Sequence, residues 1–256
     1  MGDPTRLDRF HTAVQLAGFH YIACLKARPT KADHELTSGK STYVFMSIAE
    51  QEDRYLHWEF QNWAATSVLR DLLEHFSVFL MEVYQDAVVA NPTHPFTKTV
   101  DQFERLGIEA QLATLIGSFS ISSDWVSRLT GFNRARNCLA HRGGVVGAKD
   151  LTDGSELVVR WLASSAMVNE GPITPTVEAQ GPMSHLIRGQ HISGEKAATI
   201  SVMDRERRFK VGDRLQLLPD ELLEICQTFH LASVALNSVV DASPLSQQQE
   251  APASAH

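Results

Sequence analysis

Arg136, Asn137 and His141 lie close together in the stretch RARNCLAHRGGVVG, which spans residues 134–147. A guanidinium binds phosphate oxygens in a bidentate fork and can stabilise the extra negative charge of a phosphorane-like transition state. An imidazole titrates near neutral pH and can move the proton of a ribose 2′-hydroxyl or of a leaving oxygen. These residue types together indicate metal-independent cleavage of RNA, because DNA lacks the 2′-hydroxyl that such a reaction uses.

The spacing of these residues matters only if they lie on a helix. An ideal helix places Arg136 and His141 about 140° apart around its axis and about 7.5 Å apart along it. Asn137 and His141 are four positions apart and share a face. Arg136 borders that face, and its long side chain can reach the same cleft. We therefore expect the three side chains to converge near the end of one helix.

The surroundings of this group are unusually basic. Residues 125–149 contain four arginines and one lysine and no Asp or Glu, in a chain whose formal net charge is −7. The helix macrodipole favours cations in the last turn of a helix by about 0.3–1 kcal/mol each, which would explain Arg142. It does not explain Arg134 and Arg136, which lie further from the predicted helix end at Gly143.

Bulk composition restricts the class of protein. A chain of 256 residues with 43% apolar and 21% charged residues predicts a folded globular protein. Cys24, Cys138 and Cys226 are far apart, which argues against a disulfide scaffold and fits a reducing cytosol. The sequence shows no signal peptide and no apolar run of about eighteen residues, so we expect a cytoplasmic protein that does not contact a membrane. No metal-binding or nucleophile motif occurs, and neither a metal nor a cofactor is expected.

Apolar residues recur at helical spacing over most of the chain, which predicts a mainly α fold. The predicted helices cover residues 7–25, 48–89, 96–116, 123–142 and 219–241. Loops are expected at residues 27–41 and at the NPTHP stretch, residues 91–95.

A β-rich insert interrupts this helical pattern before the last helix. Strands are predicted at residues 157–162 and 198–203, a loop at 170–182, and two strands around the Gly-Asp turn within 207–217. The expected organisation is a helical core over 1–144, the insert over 145–218, a final helix over 219–241 that returns to the bundle, and a disordered tail over 242–256. We interpret this as one domain with an embellishment.

The stretch RNCLAHRGG, Arg136–Gly144, resembles the R-x(4–6)-H motif of the HEPN superfamily and matches its R-N-x-x-x-H form letter for letter. Its position is also similar, because the motif closes the penultimate core helix and a final helix follows an insert. The stretch FKVGDRLQL, Phe209–Leu217, resembles a β elaboration of some bacterial members.

The resemblance implies a HEPN-like helical bundle that forms a two-fold homodimer. Active members cleave RNA without metal at the dimer interface and leave a 2′,3′-cyclic phosphate and a 5′-hydroxyl. Arg136 and His141 would take the catalytic roles, and Asn137 would be the polar substrate-binding residue that often follows the arginine. Arg134 and Arg142 are predicted to contact RNA from charge alone. A nuclease of this kind is expected to act as a toxin or as an antiviral or stress effector, with a neutralising or regulatory protein as partner.

The long insert is a departure from a minimal HEPN bundle and leaves alternatives open. Members often carry another polar residue on an earlier helix, for which Asp71, Glu74 and Glu82 are candidates. The second interpretation is a non-catalytic HEPN-like module that binds RNA, a nucleotide or a protein through the insert. The third is that the basic helix end is only a dimer contact or a solvated face. Cys138, between the motif residues, is expected to serve helix packing.

Overall fold

A computed structural model of the chain describes residues 4–27, 35–44, 53–119, 121–168 and 198–241. The predicted fold class is confirmed, because these residues are mainly helical and an antiparallel β hairpin precedes the last helix. The α-helices in these ranges are α1 (Arg6–Lys26), α2 (Asp53–Ala90), α3 (Val100–Glu104), α4 (Ile108–Ser118), α5 (Ser123–Arg142) and α6 (Pro219–Asp241). The predicted loop at 170–182 and the predicted tail at 242–256 lie outside the described residues.

Helix α1 shows how local sequence sets these elements. Thr5 caps the helix, since its side chain accepts a hydrogen bond from the Asp8 N–H at 3.1 Å and the Asp8 carboxylate accepts one from the Thr5 N–H. The apolar residues predicted at helical spacing form the buried face: Phe10, Val14, Ala17 and Tyr21. The helix therefore begins at its polar cap and packs along its apolar stripe.

Residues 96–116 do not form the single helix that was predicted. They contain two helices, α3 and α4, and α4 begins after Gly107, which provides no side-chain cap. Thr99 and Gln102 form a capping box at the start of α3. The break allows Phe103 to stack on Tyr84 of α2, with ring centroids 4.1 Å apart and an interplanar angle of 4°.

The predicted loop at 27–41 is wrong in its second part. Two short strands, β1 (Glu35–Ser38) and β2 (Ser41–Val44), pair antiparallel with Leu36 opposite Tyr43. Gly39 has a φ of 61° in the turn between them, a conformation that glycine adopts without strain. Residues 37–44 are all exposed, so none of these eight side chains belongs to the core.

Four helices meet in an aromatic cluster at the centre of the core. Phe10 of α1 lies 5.4 Å from Phe76 of α2, and Phe76 lies 5.4 Å from Phe229 of α6. Phe132 of α5 lies 5.2 Å from Phe229, and all four rings are buried. Because each ring comes from a different helix, the cluster fixes α5 relative to the rest of the bundle.

The insert contains two long strands, β3 (Glu156–Val168) and β4 (Ala198–Lys210), which pair antiparallel from Glu156 opposite Lys210 to Val168 opposite Ala198. Strands were predicted at both places, but the second pair around the Gly-Asp turn is wrong. Residues 207–210 belong to β4, and after the turn the chain makes only an isolated bridge between Val145 and Arg214.

This hairpin packs into the same core as the helices, against α5 and α6. Its strand β3 approaches α5 at Gly131, where an added Cβ would lie 2.7 Å from the Val158 carbonyl oxygen. On the α6 side, the Trp161 Nε1–H donates to Glu224 at 2.6 Å, and the Leu162 N–H donates to the Thr228 hydroxyl at 2.9 Å. Helix α5, which carries the motif, is therefore held between α2 and the hairpin.

None of the helices in the described ranges combines the length and the apolar character that crossing a bilayer requires.

Gly131→Ala is expected to lower the free energy of unfolding by about 1–3 kcal/mol, because the new methyl group would overlap a strand backbone that cannot move aside easily. Chemical denaturation of the full chain measures this value. The control is Gly117→Ala in α4, where nothing lies within 4 Å of an added Cβ. Alanine there should leave stability unchanged or raise it by up to about 1 kcal/mol. Equal effects of the two substitutions would contradict the close approach.

Candidate functional site

Helix α5 carries the candidate residues and ends directly after them. Ser122 caps its start and accepts a hydrogen bond from the Asp124 N–H at 3.3 Å. Its last residue is Arg142, and Gly143 and Gly144 follow with φ values of 57° and 80°. These left-handed conformations favour glycine, which explains the Gly-Gly pair after the motif.

The chain segment before α6 lies against this helix end. The Leu215 N–H donates to the Gly144 carbonyl at 2.7 Å, and the Val146 N–H donates to the Asp213 carbonyl at 3.0 Å. A Cβ at Gly144 would lie 3.1 Å from the Leu215 carbonyl oxygen. The end of the motif helix is thus bonded to the insert, and the position of each depends on the other.

The positive charge of residues 125–149, here called the basic segment, is largely neutralised in the folded chain. Arg128 pairs with Asp204 of β4, and Arg134 pairs with Glu109 of α4 at 2.8 Å. The acids come from other elements, so the segment's own sequence does not reveal them. The formal charge of residues 125–149 therefore overstates the positive potential that this region presents to solvent.

Arg142 has a structural partner. Its Nε–H donates to the Asp150 carboxylate at 2.8 Å, and a second nitrogen of its guanidinium also contacts that carboxylate. Asp150 is fully buried and accepts a further hydrogen bond from the Gly147 N–H at 2.9 Å. The ion pair between Arg142 and Asp150 thus links the end of α5 to the turn that follows it. Contact of Arg134 and Arg142 with RNA stays a prediction. Both guanidinium groups already form ion pairs with carboxylates.

Arg136 differs from the three other arginines of the segment, because in the described residues no carboxylate lies within ion-pair distance of it. Its Nη1–H donates to the Asn137 side-chain oxygen at 2.9 Å. Its Nε is buried and has no hydrogen-bond partner among those residues. The Nε atoms of Arg128 and Arg134 are also buried without a hydrogen-bond partner, so it is the lack of an ion pair that sets Arg136 apart from them.

Arg136 lies in an open groove of about 470 Å³ between α2, α4 and α5, here called the Arg136 groove. Its polar side chains come from three helices and include hydroxyl, amide, carboxylate and guanidinium groups: Ser77, Glu74, Glu109, Asn133, Arg136 and Asn137. The structure thus brings Arg136 and Asn137 together in one groove.

Glu74 is the earlier-helix candidate that the structure places in the Arg136 groove. Glu82 instead accepts from Arg9 at 2.8 Å, and Asp71 accepts from its neighbour Arg70 at 3.4 Å. Ser77 was not predicted as a site residue. It lies three residues after Glu74, which is the spacing of neighbours on one helix face. Asn133, also missed, stands three residues before Arg136.

His141 lies apart from Arg136 within one chain. It is exposed in the last turn of α5 and does not line the Arg136 groove. The angle of about 140° between the two positions on a helix accounts for this separation. The expected convergence of the three side chains therefore holds for Arg136 and Asn137 only.

Cys138 is a packing residue. Its side chain is fully buried in the core, and burial raises the pKa of the thiol more than nearby Arg142 lowers it. A buried thiol with a raised pKa is a poor nucleophile at neutral pH. In the described part of the chain, no three His, Cys, Asp or Glu side chains are grouped so that they could hold a metal ion.

No protein-family model matches the chain, and no curated protein or solved structure is significantly similar to it. The resemblance to the HEPN superfamily therefore rests on the motif and on the order of the elements.

Arg142→Ala and Arg136→Ala are expected to affect stability differently. Loss of Arg142 leaves the buried Asp150 carboxylate without its cation and should lower the free energy of unfolding by about 1–3 kcal/mol. Loss of Arg136 removes only a hydrogen bond to Asn137 and should cost less than about 1 kcal/mol. Urea denaturation followed by circular dichroism measures both. A larger loss for Arg136→Ala would show that its role is structural.

Proposed function

We propose that this protein is a metal-independent endoribonuclease of the HEPN type that acts in the cytoplasm as a homodimer. The observation that carries the proposal is the state of Arg136, the arginine of the R-N-x-x-x-H motif. It lies in an open groove beside Asn137, and no carboxylate within the described residues pairs with it. An arginine that lies in an open groove without an ion pair is suited to binding a phosphate. The groove also contains Glu74 and Glu109, and Glu109 pairs with Arg134 instead.

The proposed reaction uses the RNA 2′-hydroxyl as nucleophile. Its oxygen forms a new bond to phosphorus, the bond from phosphorus to the 5′-oxygen breaks, and the products are a 2′,3′-cyclic phosphate and a 5′-hydroxyl. Arg136 holds the phosphate oxygens and stabilises their charge in the transition state. His141 takes the 2′-hydroxyl proton or gives a proton to the leaving 5′-oxygen. Asn137 orients Arg136 through their hydrogen bond.

Dimer formation is part of this proposal, because Arg136 and His141 of one chain do not share a groove. A second copy related by a two-fold axis would add its own Arg136 and His141, so that an arginine and a histidine can meet across the interface. The exposed position of His141 leaves it accessible to such a partner. A nuclease of this kind could act as a toxin or as an antiviral or stress effector, with a neutralising protein to restrain it.

A second candidate function is a non-catalytic module that binds RNA, a nucleotide or a protein. Neutralisation of Arg128, Arg134 and Arg142 favours it, because little free positive charge remains for a long nucleic acid. In this case the groove would bind one phosphate group without cleaving it.

The nuclease proposal predicts that the purified full-length protein cuts single-stranded RNA in the presence of EDTA and leaves DNA of the same sequence intact. His141→Ala should reduce cleavage by about 10²–10⁴-fold, the usual contribution of a general acid or base. Cleavage is measured on end-labelled oligonucleotides, and the cyclic phosphate is identified by mass spectrometry.

His75→Ala is the matched control, because His75 is also exposed and also follows an arginine, Arg70, at the same spacing. It should cleave like the wild type. Undiminished cleavage by His141→Ala would refute the assignment of His141. Absence of cleavage on any RNA, with intact binding, would favour the second candidate function.

A further inference from the structure

The first half of α2 presents large aromatic rings to solvent beside the end of α5. Trp63 is 59% exposed, and its ring stacks on Phe60 with centroids 5.7 Å apart and an interplanar angle of 23°. Trp58 carries the guanidinium of Arg214 over its ring, 4.7 Å from the centroid.

Trp58 and Trp63 form one wall of a pocket of about 300 Å³, here called the Trp63 pocket. Its opposite wall is the end of α5, at Leu139, Ala140 and Gly143. Hydrogen-bonding side chains complete the lining: Glu59, Asn62, Thr66, Arg214 and Gln216. The backbone bond from Leu215 to Gly144 holds the Arg214 segment at this place. The pocket therefore combines flat apolar surfaces with donors and acceptors.

The Trp63 pocket and the Arg136 groove follow one another along the same face of α5. Asn133, Arg136 and Asn137 line the groove, and Ala140 and Gly143 line the pocket, at helical spacings of three and four. Three residues correspond to about 4.5 Å along the axis and six to about 9 Å. A base and a phosphate of the same or an adjacent nucleotide can span this distance.

Helix α2 shows the same continuity on the other side. Asn62 and Thr66 line the pocket, and Leu73 and Ser77 line the groove, again at helical spacing. Arg70 lies between the two sets on this face, with about half of its side chain exposed. Its nearest carboxylates are at 3.4 and 3.8 Å, which leaves it loosely paired. On α2 the aromatic residues of the pocket are thus followed along the helix by Arg70, and on α5 the pocket residues adjoin Arg136.

We propose that the Trp63 pocket is a nucleobase-binding subsite for single-stranded RNA whose phosphate is bound by Arg136. The proposal rests on the proposed function in that RNA is the ligand. A base stacks on an exposed aromatic ring because every base has a π face. Amide and carboxylate side chains can bond the edge of a base that is not paired, here Asn62, Glu59 and Gln216. Arg70 and Arg214 complement the negative charge of the backbone.

The test is binding of a 2′-O-methyl RNA oligonucleotide, which lacks the nucleophile and cannot be cut by the proposed reaction. Binding is measured by fluorescence anisotropy with the full-length protein. Trp63→Ala should weaken binding by on the order of 10-fold, since stacking of one base is worth about that much. Trp63→Phe keeps a flat ring and should retain most of the affinity. An oligonucleotide of the same length with abasic sites should bind the wild type and Trp63→Ala equally.

Phe19→Ala is the matched control, because Phe19 is 66% exposed on α1 and lines neither the pocket nor the groove. It should bind RNA like the wild type. Circular dichroism shows whether each variant is folded. An unchanged affinity of folded Trp63→Ala, or an equal loss in Phe19→Ala, would overturn the base subsite. So would a change in self-association of Trp63→Ala without RNA, since the aromatic surface would then be a protein interface.

Failure of the subsite and failure of the nuclease are distinguishable, because cleavage is assayed separately on unmodified RNA. Trp63-dependent binding without cleavage would support the subsite and reject the nuclease. Cleavage by the wild type with no effect of Trp63→Ala on binding would reject the subsite alone. No binding of any RNA would reject the subsite directly.

Discussion

The left-handed turn at Gly143 and Gly144 is the constraint on which the candidate site depends. It ends α5 immediately after the motif and directs the chain so that Gly144 bonds Leu215, at 2.7 Å, and Arg142 meets the buried carboxylate of Asp150. One result is that the Arg142 side chain and the backbone that follows α5 are both bonded to the insert. Another is that the segment leading to α6 becomes a wall beside the motif helix. The insert is therefore part of the surface that surrounds the motif.

The fold could be predicted where burial is periodic. Helices α1, α5 and α6 have apolar stripes that meet the core, so their spacing in the sequence reports their structure. Residues 37–44 of the β1–β2 hairpin are all exposed, and a pattern of buried positions therefore could not indicate these strands. Thr99 and Gln102 mark the start of α3, and Gly107 marks the break before α4. The apolar stripe continues across that break and suggested one helix. The long strands were predicted too short. In β4 the strand residues that were not predicted, 204–206, are all charged, and Asp and Glu are depleted in strands.

The candidate site could be predicted only in part, because the carboxylates that pair with its arginines come from distant parts of the sequence. The sequence shows which residues of the motif helix are basic, and it does not show that Asp204, Glu109 and Asp150 come from other elements to neutralise three of them. Once those pairs are taken into account, Arg136 is the arginine of α5 that has no such partner within the described residues. The exposure of Trp63 depends on which face of α2 the bundle covers, and the residue type alone does not reveal this.

The start of α4, which has no side-chain cap, adds positive potential from the backbone to the Arg136 groove. Gly107 supplies no side-chain acceptor, and Gly107, Ile108 and Ala110 line the groove. Peptide dipoles that are aligned in a helix place the equivalent of about half a positive elementary charge at such an end. Glu109 in the first turn offsets part of it, although that carboxylate is shared with Arg134 and Asn133. A backbone charge of this kind has no titration midpoint and survives any replacement of a side chain, so the groove keeps this contribution under acidic and alkaline conditions alike.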